Sequence, residues 1–254
     1  MMLTDMNDGR KMAKKVENGK SKSGRMDPDR RTAIIVGILF ITATGAGFVS
    51  APFLGPIMEG DDYLTEVSEN ETSFLIGALA IVVMGFAGAG IGISLYPVLR
   101  KQNETMALGS AGFRIMEGVI FSVGAVLLMR SLPLSQAFVD AGSPDAPYFQ
   151  TMADLSVNGL DFSMVIGGLA FSIAALMYYW VFYRTRLIPR WLSGFGLIAA
   201  VLGATQNLMT YFAIGASSAS EVEVLHLPMF VQEMILAIWL ITKGFDHPVE
   251  ATTD

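Results

Sequence analysis

The sequence predicts an all-α polytopic membrane protein: a bundle of six transmembrane helices with both termini in the cytoplasm. Three observations carry this expectation. The 254 residues are 52% hydrophobic and only 16% charged, whereas a soluble domain carries about a quarter charged residues; the mean hydropathy is +0.50. The charges are segregated, with long stretches almost free of them and short stretches between that hold most of them. Lys and Arg concentrate in alternate connections, as they do when a chain crosses a bilayer repeatedly.

Residues 1–30, "MMLTDMNDGRKMAKKVENGKSKSGRMDPDR", lack the apolar core of a secretory signal. They also lack the large apolar residues that would offset ordering entropy, so they read as a disordered, basic and polar cytoplasmic tail. Met26 is an alternative start that leaves the membrane domain, residues 31–246, whole. A bilayer core of about 30 Å needs about 20 apolar helical residues. Six segments qualify: Thr32–Leu54, Phe74–Leu99, Glu104–Leu132, Leu160–Tyr183, Pro189–Gly215 and Leu225–Phe245. Asn103, after the break at "RKQN", suits the N-cap of the third, and Pro189 suits the first turn of the fifth. Residues 131–159 form the longest loop. Within it Tyr148, Phe149, Met152 and Leu155 recur at helical spacing behind Ser143 and Pro144. That pattern predicts either a short helix on the outer membrane surface or an early start of the fourth span. Residues 247–254 form a short cytoplasmic tail.

Orientation follows from the cations. They crowd the N-terminal tail and return as Arg100 and Lys101, as Arg184, Arg186 and Arg190, and as Lys243. The alternate loops carry Glu59, Asp61, Asp62, Glu66, Glu69, Glu71, Asp140, Asp145, Asp154, Glu221 and Glu223. The positive-inside rule therefore puts both termini in the cytoplasm, with Arg130 alone against it. Trp180, Trp191 and Trp239, with Tyr178 and Tyr179, fall toward the basic ends and fit an interfacial belt. The expected location is the cell membrane, multi-pass, with the lipid bilayer as the principal partner.

The third span, "GFRIMEGVIFSVGAVLLM", holds Arg114 and Glu117 among apolar residues. An Arg or a carboxylate at a helix centre costs about 2.5–3.5 kcal/mol, and each strong apolar residue returns about 0.3–0.6. The span is therefore marginal unless the two charges pair and face the bundle. At i, i+3 they share a face and can meet. Gln206, Asn207 and Tyr211 of the fifth span, His226, Gln232 and Glu233 of the sixth, and Asn158 and Asp161 of the fourth fall at overlapping depth. The expected candidate site is one polar cluster of Arg114, Glu117, Gln206, Asn207, Gln232, Glu233, His226 and Asp161. The bland alternative is a hydrogen-bond network that only fixes packing.

Other chemistry is poorly represented. The chain has no cysteine, which excludes disulfides, thiolate metal sites and a cysteine nucleophile. Its two histidines, His226 and His247, make a two-histidine metal site improbable, and no metal, cofactor or nucleic acid is expected. "GFAGAGIGIS" lies inside an apolar helix, without the preceding strand of a phosphate loop. Its pairs Gly85 with Ala89 and Gly88 with Gly92 allow close helix contact, within the bundle, with a partner span or with a second copy.

"LYPVLRKQNETMALGSAGFRIMEGVI", "YRTRLIPRWLSGFGLIAAVLGA" and "QEMILAIWLITKGF" resemble the prokaryotic membrane family catalogued as domain of unknown function four-three-eight-six, over roughly residues 30–246. The matching positions are Arg100, Asn103, Arg114, Glu117, Pro189, Arg190, Trp191, Gln232, Glu233, Trp239, Lys243 and Gly244. The resemblance implies six spans and brings no activity. From the residues, the leading expectation is binding or transport of a small polar ligand in an outward-opening cavity. The alternatives are a structural or regulatory subunit with a purely structural Arg–Glu network, and an intramembrane enzyme using buried carboxylates.

Overall fold

The computed structural model describes residues 27–58, 62–143, 147–213 and 223–246. The tail up to Met26, Pro144 of the Ser143–Pro144 pair, and residues 247–254 with His247 lie outside the described residues. Every regular element among those described is helical: α1 (Pro28–Met58), α2 (Tyr63–Glu69), α3 (Glu71–Leu99), α4 (Glu104–Met129), α5 (Ser131–Asp140), α6 (Pro147–Thr185), α7 (Arg190–Ala213), a 3-10 turn (Glu223–His226) and α8 (Leu227–Thr242).

Among the described residues five helical stretches are long and apolar enough to cross a membrane: α1, α3, α4 together with α5, α6, and α7; α8 is a shorter apolar helix. Their outer faces are apolar, with Ile38, Leu79, Phe86, Val126, Ile198 and Ile238 exposed. Arg114, Glu117, Gln206, Asn207 and Gln232 are buried instead. Hydroxyls on exposed faces are satisfied locally: Thr42, Thr205 and Thr242 donate to the carbonyls of Ile38, Val201 and Ile238. An apolar outside and a polar inside, with these threonine hydroxyls bonded within their own helices, is what a hydrocarbon solvent demands. The chain is a membrane-embedded helical protein.

Local signals set the helix ends. Asn103 caps α4, its side chain accepting from the Met106 amide at 3.0 Å. Gly244 follows α8 with φ +83°, the left-handed turn that a C-terminal glycine makes cheaply, and its amide bonds the Trp239 carbonyl at 3.2 Å. Pro189 stands one residue before α7 rather than inside it, and its carbonyl accepts from Leu192 and Ser193. The first helix begins at Pro28, so residues 28–30 belong to the bundle and not to the tail.

Of the two readings of residues 148–155, the early start of the fourth long helix holds and the separate surface helix does not. The aromatic spacing at 148–155 belongs to α6, which starts at Pro147 and runs 39 residues. At 1.5 Å per residue that is about 58 Å, so its first turns stand well clear of a bilayer core. There Phe149 and Ala153 form a small separate cluster with Leu64 of α2 and Phe138 of α5. The Ser135 hydroxyl of α5 donates to the Leu64 carbonyl of α2. These short helices were not expected from the sequence, and together they pack on the ends of α1, α3, α4 and α6.

The long helices form a ring in chain order. Each of α1, α3, α4, α6, α7 and α8 packs on the next, and α8 closes against α1. The basic end is tied shut. Arg30 donates to the carbonyls of Leu240 (2.9 Å) and Ile241 (2.5 Å), Lys101 pairs with Asp29 at 2.7 Å, and Asp246 donates its amide to Leu187. Behind this lies the main core, including Phe40, Leu95, Tyr178, Tyr179, Phe182 and Leu236. The two tyrosines are therefore not part of the expected interfacial belt, because they face the bundle and are fully buried, whereas Trp180 and Trp191 are exposed.

Candidate functional site

The α3–α4 contact comes first, because it places the charged pair. Gly85 lies so close to α4 that a Cβ there would stand 2.9 Å from the Gly118 carbonyl oxygen and 3.2 Å from its Cα. Glycines on both sides let the backbones approach. Gly88 and Gly92 likewise face Arg114 and Glu117 or Ala111. The small-residue stripe is thus used within the chain, to seat α4.

Arg114 sits ten residues into α4, about 15 Å along its axis, which is near the midplane of a bilayer core. Its Nη1 donates to Glu117 Oε2 at 2.9 Å and Oε1 at 3.2 Å. Its Nε donates to the Gly88 carbonyl at 3.1 Å, and its guanidinium lies over the Phe171 ring, 5.0 Å from the centroid. Both residues are almost wholly buried, at 2% and 5% exposure. The pair supplies the counter-charge and hydrogen bonds without which neither group could stay in hydrocarbon.

Beside this pair the ring encloses a cavity of about 800 Å³. Seven of the eight expected residues line it: Arg114, Glu117, Asp161, Gln206, Asn207, His226 and Glu233. Glu233 of α8 accepts one hydrogen bond, from Thr44 of α1 at 3.2 Å, and no cation pairs with it among the described residues. Asn207 is fixed by its Nδ2–H donating to the Gly203 carbonyl at 2.8 Å. Gln206 is buried, and its Oε1 has no hydrogen-bond partner. Asp161 and Asn158 are exposed on α6, on the side of the acidic loops, and line the same space.

Gln232 is the residue the structure removes from the cluster. It is fully buried on the other face of α8, where its Oε1 accepts from the Tyr179 hydroxyl and its Nε2 reaches the Leu192 carbonyl at 3.4 Å. Neighbours on a helix point about 100° apart, and here that rotation turns Gln232 away from the side on which Glu233 meets the cavity. Gln232 braces α8 against α6 and α7 instead. Several lining residues lie outside the expected set. Thr44 has no helical partner of its own type to flag it; Thr210 follows Gln206 by one turn, a signal that was available; and Phe48, Phe171 and Phe230 look like ordinary core residues in sequence.

A family model described as a domain of unknown function, DUF4386, matches residues 35–244. No curated protein and no solved structure matches the chain.

Proposed function

The chain belongs to the DUF4386 family, whose description names no activity, and from its own cavity we propose that it binds or transports a small polar ligand within a six-span bundle. One observation carries this reading: about 800 Å³ of space beside a buried ion pair, lined by a partnerless Gln206 oxygen and a Glu233 carboxylate with no cation. Ligand cavities span about 300–1,000 Å³ and combine apolar walls with a few convergent polar groups. A network that only fixed packing would have its polar atoms paired and its space filled.

Ring closure supports six spans. The 16 residues of α8 cover about 24 Å, and the four residues of the 3-10 turn before it add about 8 Å, together about the hydrocarbon thickness. The cation distribution supports cytoplasmic termini and an outward-opening cavity in the cell membrane. A reporter fused after Asp254 is expected to be active only in the cytoplasm, and one inserted near Ser143 only outside; the reverse pattern overturns the orientation. Native mass spectrometry of the purified protein is expected to release a bound small molecule that Thr210→Trp, which fills the cavity, no longer retains. Equal retention by both proteins overturns the binding reading.

A further inference from the structure

We propose that the ligand of this cavity is an amphipathic organic cation, its ammonium-like head held at Glu233 and its apolar body lying on the Phe48, Phe230 and methionine walls. The inference rests on the ligand-binding reading above. It follows from which charges in the cavity are already satisfied. Arg114 is largely engaged: its Nη1 is held by both Glu117 oxygens, its Nε by the Gly88 carbonyl, and one face by Phe171, so the preference for a cation rests on the excess of carboxylates over this one guanidinium on the lining. That pairing cancels the charge of Glu117. The remaining charged side chains on the lining are Glu233 and Asp161, both acidic, with His226 as the other titratable group.

Glu233 lies nine residues before the end of α8, about 14 Å along its axis, with only the Thr44 hydroxyl donating to it. Carboxylates at this depth are expensive unless cations match them. Arg114 is the one Lys or Arg on this lining and is already paired with Glu117, so a cationic ligand supplies the second positive charge. Asp161, exposed at the open end, lies on the entry side, where Glu66, Glu69, Glu71, Asp140 and Asp154 outnumber Arg130. Converging negative charge with low-dielectric walls concentrates cations in a cleft.

The walls suit an organic cation. No group of three or more His, Asp or Glu side chains able to hold a metal occurs among the described residues. Phe48 and Phe230 meet edge to face with centroids 4.3 Å apart, and Met84, Met164 and Met229 line the same space. Aromatic faces attract organic cations and thioethers adapt to irregular apolar shapes. The partnerless Gln206 oxygen adds an acceptor, which again suits a donor-bearing head.

Because the chain has no cysteine, Thr210→Cys places a single thiol on the cavity wall. Its labelling by a cationic trimethylammonium-ethyl methanethiosulfonate and an anionic sulfonatoethyl one, each normalised to a free thiol, reads the local charge selectivity. The expected preference is about tenfold or more for the cation. Glu233→Gln is expected to reduce it several-fold and Asp161→Asn less. Tetraphenylphosphonium is expected to slow labelling, and tetraphenylborate, of the same shape and opposite charge, to leave it unchanged. Equal or faster reaction with the anionic reagent, or protection by tetraphenylborate, overturns the cation assignment and leaves the cavity reading intact. Failure of a small neutral methanethiosulfonate to label at all overturns both. If Glu233→Gln does not fold, Asp161→Asn and the protection experiment on the Thr210→Cys protein decide the matter.

Discussion

Arg30 and Arg114 are both drawn into the bundle, by different means. Arg30, at the basic end of α1, gives its guanidinium to the carbonyls of Leu240 and Ile241, with Thr242 at 3.4 Å, where α8 ends and its backbone acceptors are free. Partial negative charge at a helix C-terminus is enough for a cation that also reaches water. Arg114 has no such end within reach except one carbonyl, and it is held by a full carboxylate, Glu117. The lesson concerns depth. Near the interface, backbone dipoles and solvent satisfy a charge; near the midplane only an opposite charge with good hydrogen bonds does. The surroundings differ accordingly, with close-packed aromatic core at the basic end and open polar space beyond Arg114.

Removing one partner of the deep pair tests this most severely. Glu117→Ala and Arg114→Ala are each expected to lower stability by roughly 3–5 kcal/mol, since each leaves a buried charge alone. The double change is expected to cost less than the two single losses added, and a thermal unfolding cycle in detergent measures the difference. Strictly additive losses would mean that the pair does not act as a unit. Arg30→Ala is expected to cost less, about 1.5–3 kcal/mol, as hydrogen bonds from a charged group are lost but the freed carbonyls reach solvent. A loss as large as that of Glu117→Ala would erase the distinction of depth.

Lys101→Ala breaks the exposed bridge to Asp29, where the lysine is 54% exposed. The expected effect is about 0.2–1 kcal/mol, shrinking further as salt is raised in the same melts. Gln206→Leu gives the smallest expected change, roughly zero, because its Oε1 has no partner to lose. The same substitution is expected to weaken retention of the ligand in native mass spectrometry. A large stability loss would show that Gln206 has a structural partner in the membrane.

The sequence by itself determined the membrane class, the helical content and the pairing of Arg114 with Glu117. These depend on composition, on apolar length and on i, i+3 spacing, all properties of a single segment. It also carried the cap at Asn103, a bond closed within three residues. The 39-residue length of α6 was obscured because Asp154, Asn158 and Asp161 interrupt its hydropathy, although helix continues through them. Helix α2 was obscured because it buries only Leu64 and Val67, and α5 because two of its three buried residues, Ser131, Ser135 and Phe138, are serines that leave no apolar period. Only the tertiary structure decided that Gln232 braces Tyr179 while its neighbour Glu233 meets Thr44 of α1. Both residues carry the same signal along the chain. Their roles part because α6 and α7 lie against one face of α8 and the cavity against another, and which helix borders which face depends on how distant segments close the ring.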